Sequence, residues 1–410
     1  METQNCRFCN NKLEDVFIDL GEQPLCNNNI PAEQNDHIEE KYPLKTLICK
    51  KCFLVQTSYN VSPNSIYNDY TYFSSYSSSW MLHAKEYSEM ISKRLKLTSN
   101  SFVVEIASND GYLLRNFVEN EIPCLGIEPS SNVAIEANKN NIKTISEFFT
   151  KQNSEKYSKQ YGKADLIVAN NVFAHVPDIN DFTHGLKIML NENGVITIEF
   201  PYLIELIKNN QFDTIYHEHF FYYSFYSANN ILKKHGLKIF DVDRLNTHGG
   251  SLRLYVTHIE NQNYMVSQNV LKIQSDEENL GITNMEYYLS FSEQINSNKD
   301  KFLETLNNIK NQNKSIAGYG APGKGNTLLN YYNIDPTLID FTVDRNPIKQ
   351  NTLLPGSRIP VYDTDKIFEA KPDYILILPW NLKNEIINNL QYVKEWGAKF
   401  IIPIPNIEII

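Results

Sequence analysis

Phe102-Val103-Val104-Glu105-Ile106-Ala107-Ser108-Asn109-Asp110-Gly111 decides the fold. An apolar, β-branched run enters a Ser-Asn-Asp-Gly turn, and helix-forming residues follow over 112–120. The unit repeats: a strand over 125–128, a helix over 131–140, then strands over 166–169 and 194–200. Strands alternating with helices predict a mainly parallel, doubly wound sheet. Ligands of such sheets bind beyond the carboxyl ends of the strands. The first strand end offers Glu105, Ala107, Ser108, Asn109 and Gly111, small or polar residues that let a ligand approach closely. The second ends in Glu128-Pro129, and an acid there can accept hydrogen bonds from a ribose diol. The third runs into Asn170 and Asn171. No G-x-G-x-x-G is present, so a pyrophosphate cradle is not expected; this favours S-adenosylmethionine over NAD. A domain without a cofactor is the alternative.

Upstream lie two C-x-x-C pairs, Cys6/Cys9 and Cys49/Cys52, with 39 residues between them. Four thiolates satisfy tetrahedral zinc in a closed, structural site. The alternatives are unrelated cysteines or a redox pair. Cys26 and Cys124 read as packed thiols. Residues 61–80 are rich in Tyr and Ser, and so many aromatics imply packing or a cavity wall. Residues 81–97 read as an amphipathic helix.

Downstream, Tyr216-His217-Glu218-His219-Phe220-Phe221-Tyr222-Tyr223-Ser224 concentrates histidine, acid and tyrosine. Its histidines are two apart, so H-E-x-x-H is not formed. In an extended segment Tyr216 and Glu218 share one side, and His217 and His219 the other. Histidine suits general-base work, a carboxylate can orient it, and tyrosine can bind an enolate oxygen. A buried polar cluster at a domain interface is the alternative. His175, after the third strand, reads by itself more often as a structural histidine than as a functional one.

Residues 262–312 are polar and predict one or two connecting helices. A second α/β unit follows, with strands over 315–318, 338–343, 374–378 and 400–403. Its Gly318-Tyr319-Gly320-Ala321-Pro322-Gly323-Lys324-Gly325-Asn326 nearly fits a P-loop, but Gly325 stands where the Mg²⁺-binding hydroxyl belongs, which argues against an ATPase. A Gly-rich turn with a lysine can still hold a diphosphate. His248-Gly249-Gly250-Ser251-Leu252-Arg253 is a second Gly turn, whose arginine suits phosphate or ribose. That both are merely structural turns is the alternative.

The 410 residues carry 38 basic and 48 acidic side chains, a net charge of −10. That excludes a general nucleic-acid binder, which needs a basic footprint. No apolar run approaches the roughly 18 residues of a membrane span. The polar N-terminus lacks a signal peptide's pattern, so a cytoplasmic protein is expected.

Taken together, these motifs resemble the sugar-nucleotide C-methyltransferases, typified by TDP-sugar 3-C-methyltransferases of antibiotic deoxysugar pathways. The resemblance runs the full length: the paired cysteines, YTYFSS (70–75), EIASNDGYLL (105–114), GIEPS (126–130), NVFAHVPD (171–178), YHEHFFYYS (216–224), HGGSLR (248–253), GYGAPGKGNTLL (318–329), VDRNPIKQ (343–350) and LPWN (378–381). It implies a zinc-binding domain over 1–80, a class I Rossmann-like methyltransferase domain over 81–260 and a Rossmann-like α/β domain over 261–410. It further implies S-adenosylmethionine as methyl donor and a nucleotide-linked 4-ketosugar, TDP-linked in the typical members, as acceptor. His219 would be the base that forms an enolate, with Tyr216, Glu218 and His175 positioning the sugar. Tyr70, or Tyr72, would reach the sugar, and Tyr222, His248, Gly250, Arg253, Gly320, Lys324 and Asn326 would line the substrate. A sugar-nucleotide O- or N-methyltransferase, or a zinc-dependent binding protein without catalysis, stand as alternatives. Oligomeric state stays open, a monomer being compatible.

Overall fold

The computed structural model describes residues 5–34, 36, 38–59, 61–62, 73–76 and 78–410. Tyr70 and Tyr72 lie outside them. Among the described residues three sheets form. The central one has seven strands in the order Leu237–Leu245, Ser251–His258, Leu190–Pro201, Ala164–Asn170, Val103–Ile106, Cys124–Ile127, Thr144–Ile145. The five from Leu190–Pro201 to Thr144–Ile145 run parallel, and the hairpin Leu237–Leu245/Ser251–His258 adds two antiparallel strands at one edge. Val103–Ile106 is buried along its whole length. Helices cover both faces of such a strand, which is why its sequence is an unbroken run rather than an alternation.

The C-terminal sheet has Ile316–Tyr319 at its centre, parallel to Phe341–Val343 on one side and Tyr374–Ile377 on the other. The connection before it holds three helices, Gln268–Leu280, Glu286–Leu289 and Phe291–Asn311, one more than the sequence suggests. Ser267 caps the first through the N–H of Val270, and Gly281 ends it in the left-handed conformation (φ +73°), which breaks the run.

The N-terminal sheet, Asp15–Gln23, Tyr42–Ile48 and Val55–Thr57, is completed by Phe221–Tyr222 from beyond the central domain's long strand. In exchange, Ile30–Pro31 pairs with Thr352–Leu353 at the edge of the C-terminal sheet. A division at residues 80 and 260 therefore leaves two strands in foreign sheets. The N-terminal unit shares its core with both neighbours. Phe17 stacks on Phe291 of the C-terminal unit (4.8 Å between rings), while Cys6, Phe8 and Leu13 join the apolar cluster under the central sheet. A unit this small buries too little by itself, so packing and a metal hold it.

Candidate active site

Each cysteine pair is followed by a residue in the left-handed region, Asn10 (φ 60°) after Cys9 and Phe53 (φ 54°) after Cys52. The N–H groups of these residues return to the carbonyls of Cys6 and Cys49, closing two knuckles. The four sulfurs lie within 4.8 Å of one another, with Cys6–Cys52 at 3.6 Å and Cys9–Cys49 at 3.5 Å. Zinc–sulfur bonds of about 2.3 Å in a tetrahedron place sulfurs about 3.8 Å apart. The donor set fits zinc and leaves no ligand position for chemistry. Cys26 and Cys124 stand apart as free thiols.

At the strand ends of the central sheet, Ala107 (φ 56°), Asn109 (φ 50°) and Gly111 (φ 79°) fold the chain into a tight turn. A side chain at Gly111 would fall 2.5 Å from the Ile142 side chain, so only glycine fits. Glu128 organises the turn: its two oxygens accept from the N–H groups of Asn109 (3.0 Å) and Ser130 (2.9 Å). The sequence reserves this carboxylate for a ribose; here each oxygen already holds a backbone donor and keeps a further lone pair. Pro129 carries the chain out of the strand beside it. From above, Ser74 and Ser75 donate backbone N–H groups to the side chains of Asn109 and Asp110.

Around this turn Glu105 Oε2, Ser108 Oγ, Asp110 Oδ1, Asn170 Oδ1 and both amide atoms of Asn171 are buried without a hydrogen-bond partner among the described residues. Buried polar atoms are otherwise almost always paired. Their convergence at the ends of two adjacent strands fits a polar, many-functional ligand such as S-adenosylmethionine. Burial, helped by the charges of Glu128 and Asp110, pushes the Glu105 carboxyl well above its usual range.

The histidine segment is a turn, not the extended strand its alternation suggests. The N–H of His219 bonds the carbonyl of Tyr216 (2.9 Å), and the preceding Phe212–Thr214 is a 3-10 turn. Packing overrides the period-two pattern because the chain must reverse before pairing Phe221–Tyr222 with the N-terminal sheet. His217 and Glu218 therefore share the tip. His217 Nε2 meets the carbonyl of Tyr42 (3.2 Å), and Glu218 accepts from Asn27 Nδ2 (2.5 Å). Both line a cavity of about 670 Å³ with Cys26, Tyr42 and Lys349. Burial raises the Glu218 carboxyl to about 7.

His219 turns the other way. Its ring lies 4.1 Å from that of Tyr216, 4.7 Å from His175 at right angles, and 6.1 Å from Tyr222. Its Nδ1 is 3.0 Å from the carbonyl of Thr214. A carbonyl only accepts, so Nδ1 carries the hydrogen and Nε2 keeps its lone pair. Burial holds His219 well below the usual imidazole range and His175 at about 4, so both rings are neutral. Thr214, which sets the tautomer through its backbone, carries no side-chain signal in the sequence.

The two Gly turns meet at Trp380. A side chain at Gly249 (φ 88°) would fall 2.5 Å from the Trp380 ring. Trp380 Nε1 donates to Asp213 Oδ2 (2.7 Å), and Lys324 Nζ lies 4.8 Å from the centre of its ring and 3.3 Å from Asn381 Oδ1. His248, beside Gly249, packs near Trp80 (5.3 Å), which also stacks on His83 (4.9 Å). Gly250 (φ 121°) turns the chain into the edge hairpin. Arg253 is engaged within the sheet rather than left open as its type suggests: opposite Glu199 on the neighbouring strand Leu190–Pro201, it donates to that carboxylate (2.8 Å), which Thr247 and His83 also contact. An acid buried in a sheet needs such a partner. Asn326 donates to the carbonyl of Cys26 (2.6 Å), and Gly320 (φ 89°) donates its N–H to Val343.

This arrangement of a parallel sheet with unpaired buried polar atoms at its strand ends, carried on a four-cysteine unit, defines a zinc-bearing, S-adenosylmethionine-dependent methyltransferase. Comparison with known proteins agrees. Residues 82–242 match the model of a methyltransferase domain, residues 6–67 that of a zinc binding domain, and residues 246–405 that of the C-methyltransferase C-terminal domain. The chain is 33% identical over 405 residues to the C-methyltransferase NovU of Streptomyces niveus, covering 99% of this chain and 96% of that protein. Similar solved structures include an S-adenosylmethionine-dependent methyltransferase from Clostridium acetobutylicum ATCC 824 (13% identity, 42% of this chain, 90% of that one, TM-score 0.35). Another is magnesium protoporphyrin IX methyltransferase ChlM from Synechocystis PCC 6803 with bound SAM (12%, 42%, 79%, TM-score 0.32). The chain belongs to the C-methyltransferase family. Its methyl donor is S-adenosylmethionine, its metal a structural zinc ion, and no helix among the described residues is long and apolar enough to cross a membrane.

Proposed function

We propose that the protein methylates the carbon beside the ketone of a nucleotide-linked 4-ketosugar, a TDP-deoxysugar, through an enolate. The observation that carries this reading is His219: a neutral imidazole with Nδ1 committed to Thr214 and Nε2 left to take a proton. A C–H bond is no nucleophile, so C-methylation needs an adjacent ketone and such a base. Tyr216 and His175, packed on the ring, hold it in place. Glu218, protonated up to about pH 7, donates to a hydroxyl of the substrate. Tyr70 or Tyr72 adds a further hydroxyl. The strand-end residues 105–111, 128–129 and 170–171 hold the donor. When bound, S-adenosylmethionine supplies the methyl as an activated sulfonium, to which the enolate carbon adds as the neutral thioether departs. Thiolate ligation of zinc belongs to a reducing compartment, so the enzyme is read as cytoplasmic.

The test is incubation with methyl-¹³C S-adenosylmethionine and a panel of TDP-4-keto-6-deoxysugars in D₂O, followed by NMR. A ¹³C methyl on a quaternary ring carbon supports the reading. A methyl on oxygen or nitrogen replaces it with O- or N-methylation. Neither transfer nor deuterium exchange with any donor removes it.

A further inference from the structure

The Gly-rich loop and its lysine read from sequence as a diphosphate site, and the surroundings argue otherwise. The N–H of Ala321 is held by the carboxylate of Asp344 (2.7 Å), and its carbonyl accepts from Lys349 (2.6 Å). A diphosphate would have to displace an acid from that donor. Lys324 itself turns away from the loop, onto the ring of Trp380.

Trp380 is fixed from two sides, by its bond to Asp213 and by the close approach of Gly249. Asp213 and Thr214 are consecutive. The side chain of the first secures the ring under Lys324, and the carbonyl of the second secures Nδ1 of His219. One rigid two-residue step thus sets both the ammonium and the imidazole.

We infer that Lys324 belongs to the reaction centre, where its ammonium receives the oxyanion of the enolate, and that it is not a diphosphate ligand. This rests on the enolate reading above. The ionisation states suit the task. Burial depresses Lys324 below its ordinary value while the charge of Asp213 opposes that shift. The lysine's charge in turn presses on His219 and His248, favouring their neutral forms. A cation at the forming oxyanion beside a neutral base suits proton abstraction next to a ketone. In the step, the C–H pair becomes the C=C bond, the carbonyl π pair moves onto oxygen opposite Lys324, and the proton goes to Nε2 of His219. Methyl addition restores the C=O bond, the sulfur keeps the S–CH₃ pair, and His219 returns its proton to water. Lys324 remains an ammonium throughout.

The experiment compares wild type, Lys324→Met and Lys324→Arg, with S-adenosylmethionine affinity as the check on folding. Three readouts are taken: deuterium exchange beside the ketone, TDP affinity, and the histidine titrations by ¹⁵N NMR. Lys324→Met is expected to lose about 100-fold in exchange and transfer together, to leave TDP affinity within about threefold, and to raise the midpoint of His219. Lys324→Arg, which keeps the charge, is expected to retain the wild-type titration and part of the exchange. Wild-type exchange in Lys324→Met, or a TDP affinity lowered about tenfold or more, overturns the inference and restores the diphosphate role. Absence of exchange and transfer in the wild type itself overturns the enolate reading instead.

Discussion

Arg7, the residue after the first knuckle cysteine, donates through Nη1 to the carbonyl of Phe220, the residue after His219 (3.3 Å). Its second nitrogen reaches the carbonyl of Thr57 (2.8 Å), and its guanidinium lies 5.7 Å and 5.4 Å from the centres of the Phe220 and Phe221 rings. The zinc unit therefore grips the chain immediately behind the proposed base. From the other side, the N–H of Phe220 bonds the carbonyl of Ala174, next to His175.

Zinc removal should therefore abolish transfer although no metal sits at the reacting carbon. Titration with a chelator, following zinc content and methyl transfer together, is expected to show both falling in proportion. Arg7→Ala should keep its zinc and lose about tenfold in turnover, since two hydrogen bonds to buried carbonyls go with it, each worth about 1–3 kcal/mol. Full turnover in zinc-free protein would disconnect the two units.

His219→Asn should fold, bind S-adenosylmethionine with wild-type affinity and lose turnover by about 10²- to 10⁴-fold, the usual reach of a general base. Calorimetric binding and a turnover assay check the two halves separately. Wild-type rates in the variant would take His219 out of the mechanism.

The pH profile follows from burial. A depressed His219 stays neutral, hence competent, as pH falls through the ordinary imidazole range, so the acid limb of kcat/KM should lie below pH 6.5. Glu218, raised to about 7, loses its proton above that pH, and the rate should fall there as its donor is lost. Glu218→Gln, which cannot ionise, should flatten the fall above pH 7. An unchanged alkaline limb in that variant would assign it to another group.

Glu128 holds the cofactor turn through two backbone N–H groups. Glu128→Ala leaves both buried and unpaired, at a cost of about 1–3 kcal/mol each. S-adenosylmethionine affinity should weaken at least about tenfold by isothermal calorimetry, with Glu128→Gln, which keeps one acceptor, in between.

Gly249→Ala puts a Cβ 2.5 Å from Trp380 at a positive φ. Left-handed backbone costs an L-residue roughly 1–2 kcal/mol, and overpacking about 1–3 kcal/mol more. The melting temperature should drop, and the site around Lys324 should loosen with it. A variant as stable and active as wild type would show that Trp380 can shift without consequence.

Local chemistry was legible in the chain. Two C-x-x-C pairs specify a thiolate site wherever they fold, because spacing and ligand type suffice. The run 102–111 announces a parallel strand entering a ligand turn, because periodicity and turn residues act over a few positions. The dense histidine segment and the Gly-rich loops marked themselves by composition. Orientation was not legible. The alternation of residues 216–219 predicted shared faces, and a turn placed His217 beside Glu218 instead, since a reversal was needed to pair Phe221–Tyr222 with Val55–Thr57. Arg253 looked free for a ligand until the register of Ser251–His258 on Leu190–Pro201 set it against Glu199. Asp213 and Trp380 lie 167 positions apart, and no short-range pattern joins them. The sequence by itself determined which groups the protein carries. Tertiary structure alone decided which of them share a dry, fixed space, because pairing over hundreds of residues depends on how whole sheets pack rather than on any local preference.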